Sequence, residues 1–273
     1  RVAAGSFQAL GDLPGGSFQS EANAVSADGS VVVGFSRSTQ QVPPSVESGT
    51  EAFRWSQAGG MQGLGWLSGA TVLMGSATAV TPGGDVIVGY SGGPNGQEAF
   101  RWTQATGMQG LGRLPLSGFL GQATAVSDDG SVVVGWGSQT PQPYVPAAAF
   151  IWSEATGMVY LKDVLQSEYG VDLTGWTLKA AIDMSADGEV IVGTGWLNFV
   201  HRAWVARLHA PPACLGDANN DGVVTFEDIT ESLAAWGRTY YFNTSGLGDA
   251  DHDGVVGFDD INAVLANWLN ACP

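Results

Sequence analysis

Charge is scarce in this chain, and what there is has one sign. Only 13% of the 273 residues are charged, and ten Lys+Arg stand against 26 Asp+Glu, for a net charge of −16. With no basic face available, phosphate backbones are excluded as partners, so no nucleic acid is expected. The same deficit works against adhesion to anionic lipid. No apolar run approaches the ~18 residues of a spanning helix, so no membrane span is expected. Two cysteines are too few for a structural zinc site. There are three histidines: His209 lies in a Pro-containing stretch, His252 inside an acidic loop and His201 at the start of a strand-like run. No Gly-x-Ser-x-Gly elbow occurs, and no Cys and His form a nucleophile pattern. Asp28, Asp129 and Asp187 recur, but each directly precedes a Gly, which reads as turn chemistry rather than as a glycosidase pair. A non-catalytic protein is expected. The chain begins at Arg1 rather than Met, read as a signal peptide removed or as part of a longer precursor, hence an extracellular or cell-surface location.

What is abundant is glycine, at 40 residues, in a chain that is 44% hydrophobic and holds ten Trp. Such a composition favours short strands and many turns. The chain is also repetitive, with a period of roughly 46–58 residues. AVSADGSVVVG (24–34) returns as AVTPGGDVIVG (79–89), AVSDDGSVVVG (125–135) and DMSADGEVIVG (183–193). EAFRW (51–55) returns as EAFRW (98–102), AAFIW (148–152) and, loosely, HRAWV (201–205). GMQGLGWL (60–67) returns as GMQGLGRL (107–114) and GMVYLKDV (157–164).

Each phrase has a physical reading. The β-branched runs are strands, and the Asp-Gly or Gly-Gly before them is a tight turn in which Gly accepts positive φ. The Phe-x-Trp phrase alternates as a third strand, and the Gly-Met phrase is a fourth. Four short antiparallel strands per repeat predict a mainly β, four-repeat β-propeller-like domain over residues 1–208. The fourth copy lacks its Gly-Met phrase, whereas the chain opens on SFQALGDL (6–13), which matches it. Residues 6–13 are therefore expected to pair beside 202–208, closing a ring within one molecule or completing a neighbour's blade. The repeated Trp55, Trp102 and Trp152 read as blade-to-blade packing more readily than as a glycan platform, and Trp66, Trp136, Trp176 and Trp196 as the better surface candidates. Stretches 36–51 and 137–149, rich in Pro, Ser, Thr and Gln, read as exposed insertions.

Across about residues 6–208 these phrases resemble the extracellular HAF-repeat family. Glu51, Glu98 and Ala148 stand where that family has His, so Ala-Phe-x-Trp carries the match. The resemblance implies a secreted repeat protein and no particular chemistry.

Beyond a linker at 209–213, residues 214–273 form a second predicted domain. From residue 211 onward there are ten acids against one base. DANNDGVVTFED (217–228) and DADHDGVVGFDD (249–260) both fit a twelve-residue calcium loop, with oxygen donors at positions 1, 3 and 5, Gly at 6 and a carboxylate at 12. A hard cation takes six to eight oxygens at about 2.3–2.6 Å, so the loop must wrap it. Two Ca²⁺ are expected, held by Asp217, Asn219, Asp221, Val223, Thr225 and Asp228, and by Asp249, Asp251, Asp253, Val255 and Asp260. Each loop leads into an apolar helix, expected at 229–237 and 261–270.

This doubled loop-then-helix is similar to a type I dockerin, a small α-helical module that docks secreted proteins onto cohesin domains. Cys214 and Cys272 flank the module, and in an export context they are expected to form a disulfide worth about 4 kcal/mol. Asn243-Thr244-Ser245 matches N-glycosylation spacing. Two functions follow as expectations. One is a secreted, non-catalytic structural or adhesive protein with a calcium-stabilised module, a subunit of an extracellular fibre or surface assembly. The other is an accessory component of a polysaccharide-degrading system, docked through the module and contacting glycans.

Overall fold

The computed structural model describes residues 5, 7–38, 49–115, 120–138, 147–208 and 224–234, together with 261, 262, 264 and 265. The chain divides into two compact units, residues 1–162 with 175–205, and residues 163–174 with 206–273.

The first unit is a succession of antiparallel sheets that follows the repeats. The first sheet comprises β1 (Gly15–Val25), β2 (Val31–Ser38), β3 (Gly49–Ser56) and β4 (Gly60–Gly63). The second comprises β5 (Gly75–Val80), β6 (Val86–Gly93), β7 (Gly96–Thr103) and β8 (Gly107–Gly110). The third comprises β9 (Leu120–Val126), β10 (Val132–Ser138), β11 (Ala148–Ser153) and β12 (Gly157–Tyr160). Helix α1 (Leu161–Ser167) follows, and the last sheet has three strands, β13 (Trp176–Met184), β14 (Val190–Leu197) and β15 (Val200–Arg207). The strand–turn–strand reading of each repeat is thus observed, with three complete four-stranded blades and one of three strands.

The repeated glycine in the second strand has a steric cause. A Cβ on Gly34, Gly89 or Gly135 would lie 1.9–2.0 Å from a backbone oxygen of the neighbouring strand. The pairing slips by a residue at this level, between Ala22 and Ala24 and between Ala77 and Ala79, so the bulged strand presses close. The aromatic across the sheet sits over the same glycine: Gly34 pairs with Phe53, Gly89 with Phe100 and Gly135 with Phe150. All three Phe are fully buried. In the last blade the ring over Gly193 is Trp204. This puts Ala203-Trp204 at the Ala-Phe position, one residue out of step with the alignment of HRAWV to EAFRW.

The turns confirm the reading of the recurrent aspartates. Ser26 Oγ and Ser30 N–H donate to Asp28 Oδ1 at 2.7 and 2.9 Å, and Val31 N–H donates to Ser26 Oγ at 3.0 Å. The same pattern recurs at Ser127, Asp129, Ser131 and Val132. These donors favour the charged carboxylate, the serine hydroxyl most strongly, and lower Asp28 and Asp129 from 3.8 to about 2. Because the folded pKa lies below the unfolded one, the stabilisation is present above pH ~4 and fades as pH falls toward 2. Acid titration of the Asp28→Asn/Asp129→Asn variant, followed by tryptophan fluorescence, should show a shallower loss of stability between pH 4 and 2 than the parent chain.

Two sequence expectations need correction. Residues 7–13 form no strand. Instead Leu10 and Leu13 pack on Phe53, Trp55, Val32 and Met61 of the first sheet. The physical reason is that 10–13 repeats the linker after β4 and β8 rather than a strand: Gly11, Gly65 and Gly112 share φ of 76–82°. The third Gly-Met strand also stops at Tyr160. Leu161 and Leu165, one helical turn apart and both buried, continue it as α1.

Candidate functional site

Three internal junctions join consecutive sheets, and each uses the same parts. At the first, Val31, Val33, Ala52 and Leu67 of one blade meet Ala77, Ile87 and Phe100 of the next, flanked by Trp102 and Met108. At the second, Val86, Val88, Ala99, Leu111 and Leu114 meet Ala123, Val133 and Phe150, flanked by Trp152 and Met158. Trp102 and Trp152 therefore pack between blades, whereas Trp55 packs with Leu10 and Leu13 ahead of the first sheet.

Polar locks accompany this packing. Asn23 Nδ2 donates to Ala77 O at 2.8 Å, Thr78 Oγ1 to Ala123 O at 2.7 Å and Thr124 Oγ1 to Ala181 O at 2.9 Å. Ala27 N–H donates to Pro82 O at 3.1 Å, and Asp128 N–H to Ala186 O at 2.8 Å. The turn glycines Gly84, Gly130 and Gly188 lie against Val31, Val86 and Val132 of the preceding blade. The Asn/Thr donors are additional to the residues singled out from the sequence. Their signal was a polar residue inside the otherwise apolar A-x-A-V phrase.

The two ends of the series lack these contacts. Among the described elements, the first sheet packs substantially only on the second, and the last sheet only on the third. Ala22 is exposed, although its counterparts Ala77 and Ala123 are fully buried. Val25 is 57% exposed, and nothing lies within 4 Å of where a Cβ on Gly29 would be. On the last sheet Ile182, Val192 and Val205 are 49%, 41% and 58% exposed. Ile182 stands at the position of the Asn23, Thr78 and Thr124 donors.

Glu51, the first residue of the EAFRW phrase, is 4% exposed. Its Oε1 accepts Gly65 N–H at 2.9 Å, and its Oε2 has no partner among the described residues. Glu98 Oε1 likewise accepts Gly112 N–H at 3.3 Å, and Glu98 pairs with Arg113 at 3.7 Å. These carboxylates fix the linker between blades. Glu51→Ala should cost about 1–3 kcal/mol by leaving Gly65 N–H unsatisfied, with Glu51→Gln milder, as chemical denaturation would measure. A shallow cleft beside Glu98 is lined by Gln97, Arg113, Gly121 and Met158.

In the second unit, α2 (Phe226–Ala234) begins three residues before the expected start because Thr225 caps it. Thr225 Oγ1 accepts Glu227 N–H at 3.3 Å, and Asp228 Oδ2 accepts Thr225 N–H at 2.6 Å, a reciprocal cap. Asp228 is fully buried, as are Val224 and Val264. The other expected ligands, Asp217, Asn219, Asp221, Val223, Asp249, Asp251, Asp253, Val255 and Asp260, lie outside the described residues. So do Cys214, Cys272, Asn243 and the linker at 209–213.

No family model matches the chain, and no curated protein matches it. Among solved structures it is similar to TolB from Acinetobacter baumannii, at 10% identity and TM-score 0.45, over 70% of this chain and 41% of that one. It is also similar to a protein described as a TolB from Agrobacterium tumefaciens, at 15% identity and TM-score 0.43, over 70% and 58%. The chain thus spans about half the length of these structures.

Proposed function

We propose that this is a secreted, non-catalytic structural protein that assembles with other protein chains through the ends of its blade series. Its C-terminal module binds two Ca²⁺ and stabilises the assembled form. The observation that supports this reading is the pair of bare end faces. Surfaces whose counterparts are buried at three internal junctions are open at both ends. Bare apolar β faces and edges of this kind invite pairing and are normally covered. The acid-rich C-terminal module supplies the second element. Its carboxylates repel one another unless divalent cations sit among them. Within such a loop Thr225 and Asp228 would hold the ion from the start of α2, and the cation would neutralise the buried carboxylate. The assembly is extracellular, where calcium is plentiful and the two cysteines can be oxidised.

Electron microscopy of the purified full chain tests the proposal. Extended assemblies are expected in millimolar calcium, shortening after chelation. Isolated particles at every protein concentration, with and without calcium, would contradict it.

A further inference from the structure

We infer that residues 7–9 of one copy form the missing fourth strand of the last sheet in a second copy, joining molecules head to tail. This rests on the assembly reading above and assigns its contact.

Among the described residues there is one strand-like segment without a sheet and one sheet with three strands where the others have four. Phe7, Gln8 and Ala9 match Met61-Gln62-Gly63 of β4 and Met108-Gln109-Gly110 of β8. The chain that follows them already has the geometry of leaving a preceding blade. Gly11 has φ +81°, against +76° and +82° for Gly65 and Gly112. Leu13 N–H donates to Ser36 Oγ at 3.0 Å, as Leu67 N–H donates to Ser91 Oγ at 3.1 Å. The segment therefore enters the first sheet as the chain after β4 enters the second, with no sheet before it among the described residues. Phe7 is 96% exposed. Among the described residues β15 has β14 on one side and no strand on the other.

The side chains match in size. In the complete blades Trp55, Trp102 and Trp152 pair with Met61, Met108 and Met158. Counting from Trp204 over Gly193, the last blade has Ala206 at the Trp position, and Phe7 would stand at the Met position. A smaller residue on β15 is answered by a larger one on the incoming strand. One step along, Phe53 and Phe100 face Gly63 and Gly110, and Trp204 would face Ala9. The charges agree as well: β15 carries His201, Arg202 and Arg207 and no acid, whereas β1 of the incoming copy carries Glu21 and no base.

The same docking covers the bare faces. Ala22, Val25 and Gly29 of the incoming copy would lie on Ile182, Val190 and Val192, repeating the internal junctions, with the Asn/Thr lock replaced by an apolar residue. The sheet contacts argue for a second copy rather than the chain's own last sheet, which packs on the third sheet and leaves Phe7 in solvent. A contact of one face with a different face builds a closed ring where the rotation between copies closes and an open series where it does not.

The test is sedimentation velocity of the full chain in calcium over a concentration series, comparing the parent with Phe7→Asp, Val25→Asp and Phe7→Leu. Phe7 and Val25 are exposed in the single molecule, so these changes should leave its melting temperature unaltered. Both aspartate variants should need at least tenfold more protein to associate, while Phe7→Leu associates like the parent. Parent polymers that the aspartate variants reproduce would overturn the inference and leave the assembly reading standing. A parent that stays monomeric at all concentrations, with Phe7→Asp lowering its melting temperature, would overturn both and show that the strand closes its own ring.

Discussion

Replacing Gly89 with alanine should leave the blade series unable to fold stably. The added methyl would sit 2.0 Å from Ser76 O and 2.9 Å from Ala77 Cα, both backbone atoms of β5. Backbone in a paired strand cannot rotate away as a side chain can, so the strands must separate or the bulge must be lost. Phe100, fully buried across the same pair, would be pushed out of the first junction with them. Overpacking costs typically 1–3 kcal/mol, and here the strain falls on main chain at the centre of a sheet, so at least about 3 kcal/mol is expected. That is a large part of the 5–15 kcal/mol stability of an ordinary domain. Alanine at Gly60 is the control: nothing lies within 4 Å of its Cβ position, and its φ of +65° makes the cost conformational alone, roughly 1 kcal/mol. Thermal melts of the two variants should differ widely. Similar melting temperatures would refute the steric account.

The second large effect is expected from calcium. If each loop binds one ion, free calcium at a hundred times Kd adds about 2.7 kcal/mol per site. Chelation should therefore lower the melting transition of residues 214–273 while leaving that of the blades in place. Asp221→Ala should reproduce part of the loss by removing a ligand of the first loop. Asp228→Ala should cost more than the ligand alone, because Asp228 also accepts Thr225 N–H at the start of α2. Calorimetry decides this: two sites in the parent and a weakened first site in each variant are expected, and no calcium uptake by the parent would refute the calcium reading.

The blades were legible because each rests on local chemistry. The Asp-Gly turns, the β-branched runs and the Phe-x-Trp alternation each dictate a conformation without help from distant residues. The glycine ending each Val-x-Val run was visible as a repeat, but its cause lies in a bulge on the adjacent strand that no single phrase encodes. The junction locks were not read, since a lone Thr or Asn in a strand says nothing about a carbonyl one blade away. The segment at 6–13 copies the Gly-Met phrase. What it does depends on which sheet edge it meets, and that is a property of neighbours. Helix α1 is hidden in the sequence because GMVYL continues the strand pattern of its two earlier copies. Only Leu165, four residues after Leu161, marks the change of period. At the second unit the helix start was misplaced because the cap at Thr225 lies inside the loop motif itself.

In the proposed assembly, end faces that are open in one molecule become covered by a second. Hydrogen exchange of the full chain in calcium, at low and at high protein concentration, tests it most directly. Amides of β1 and β15 should exchange quickly at low concentration and become protected at high concentration, while β6 and β10 stay protected throughout. Equal, strong protection of β1 and β15 at the lowest concentration would contradict the account.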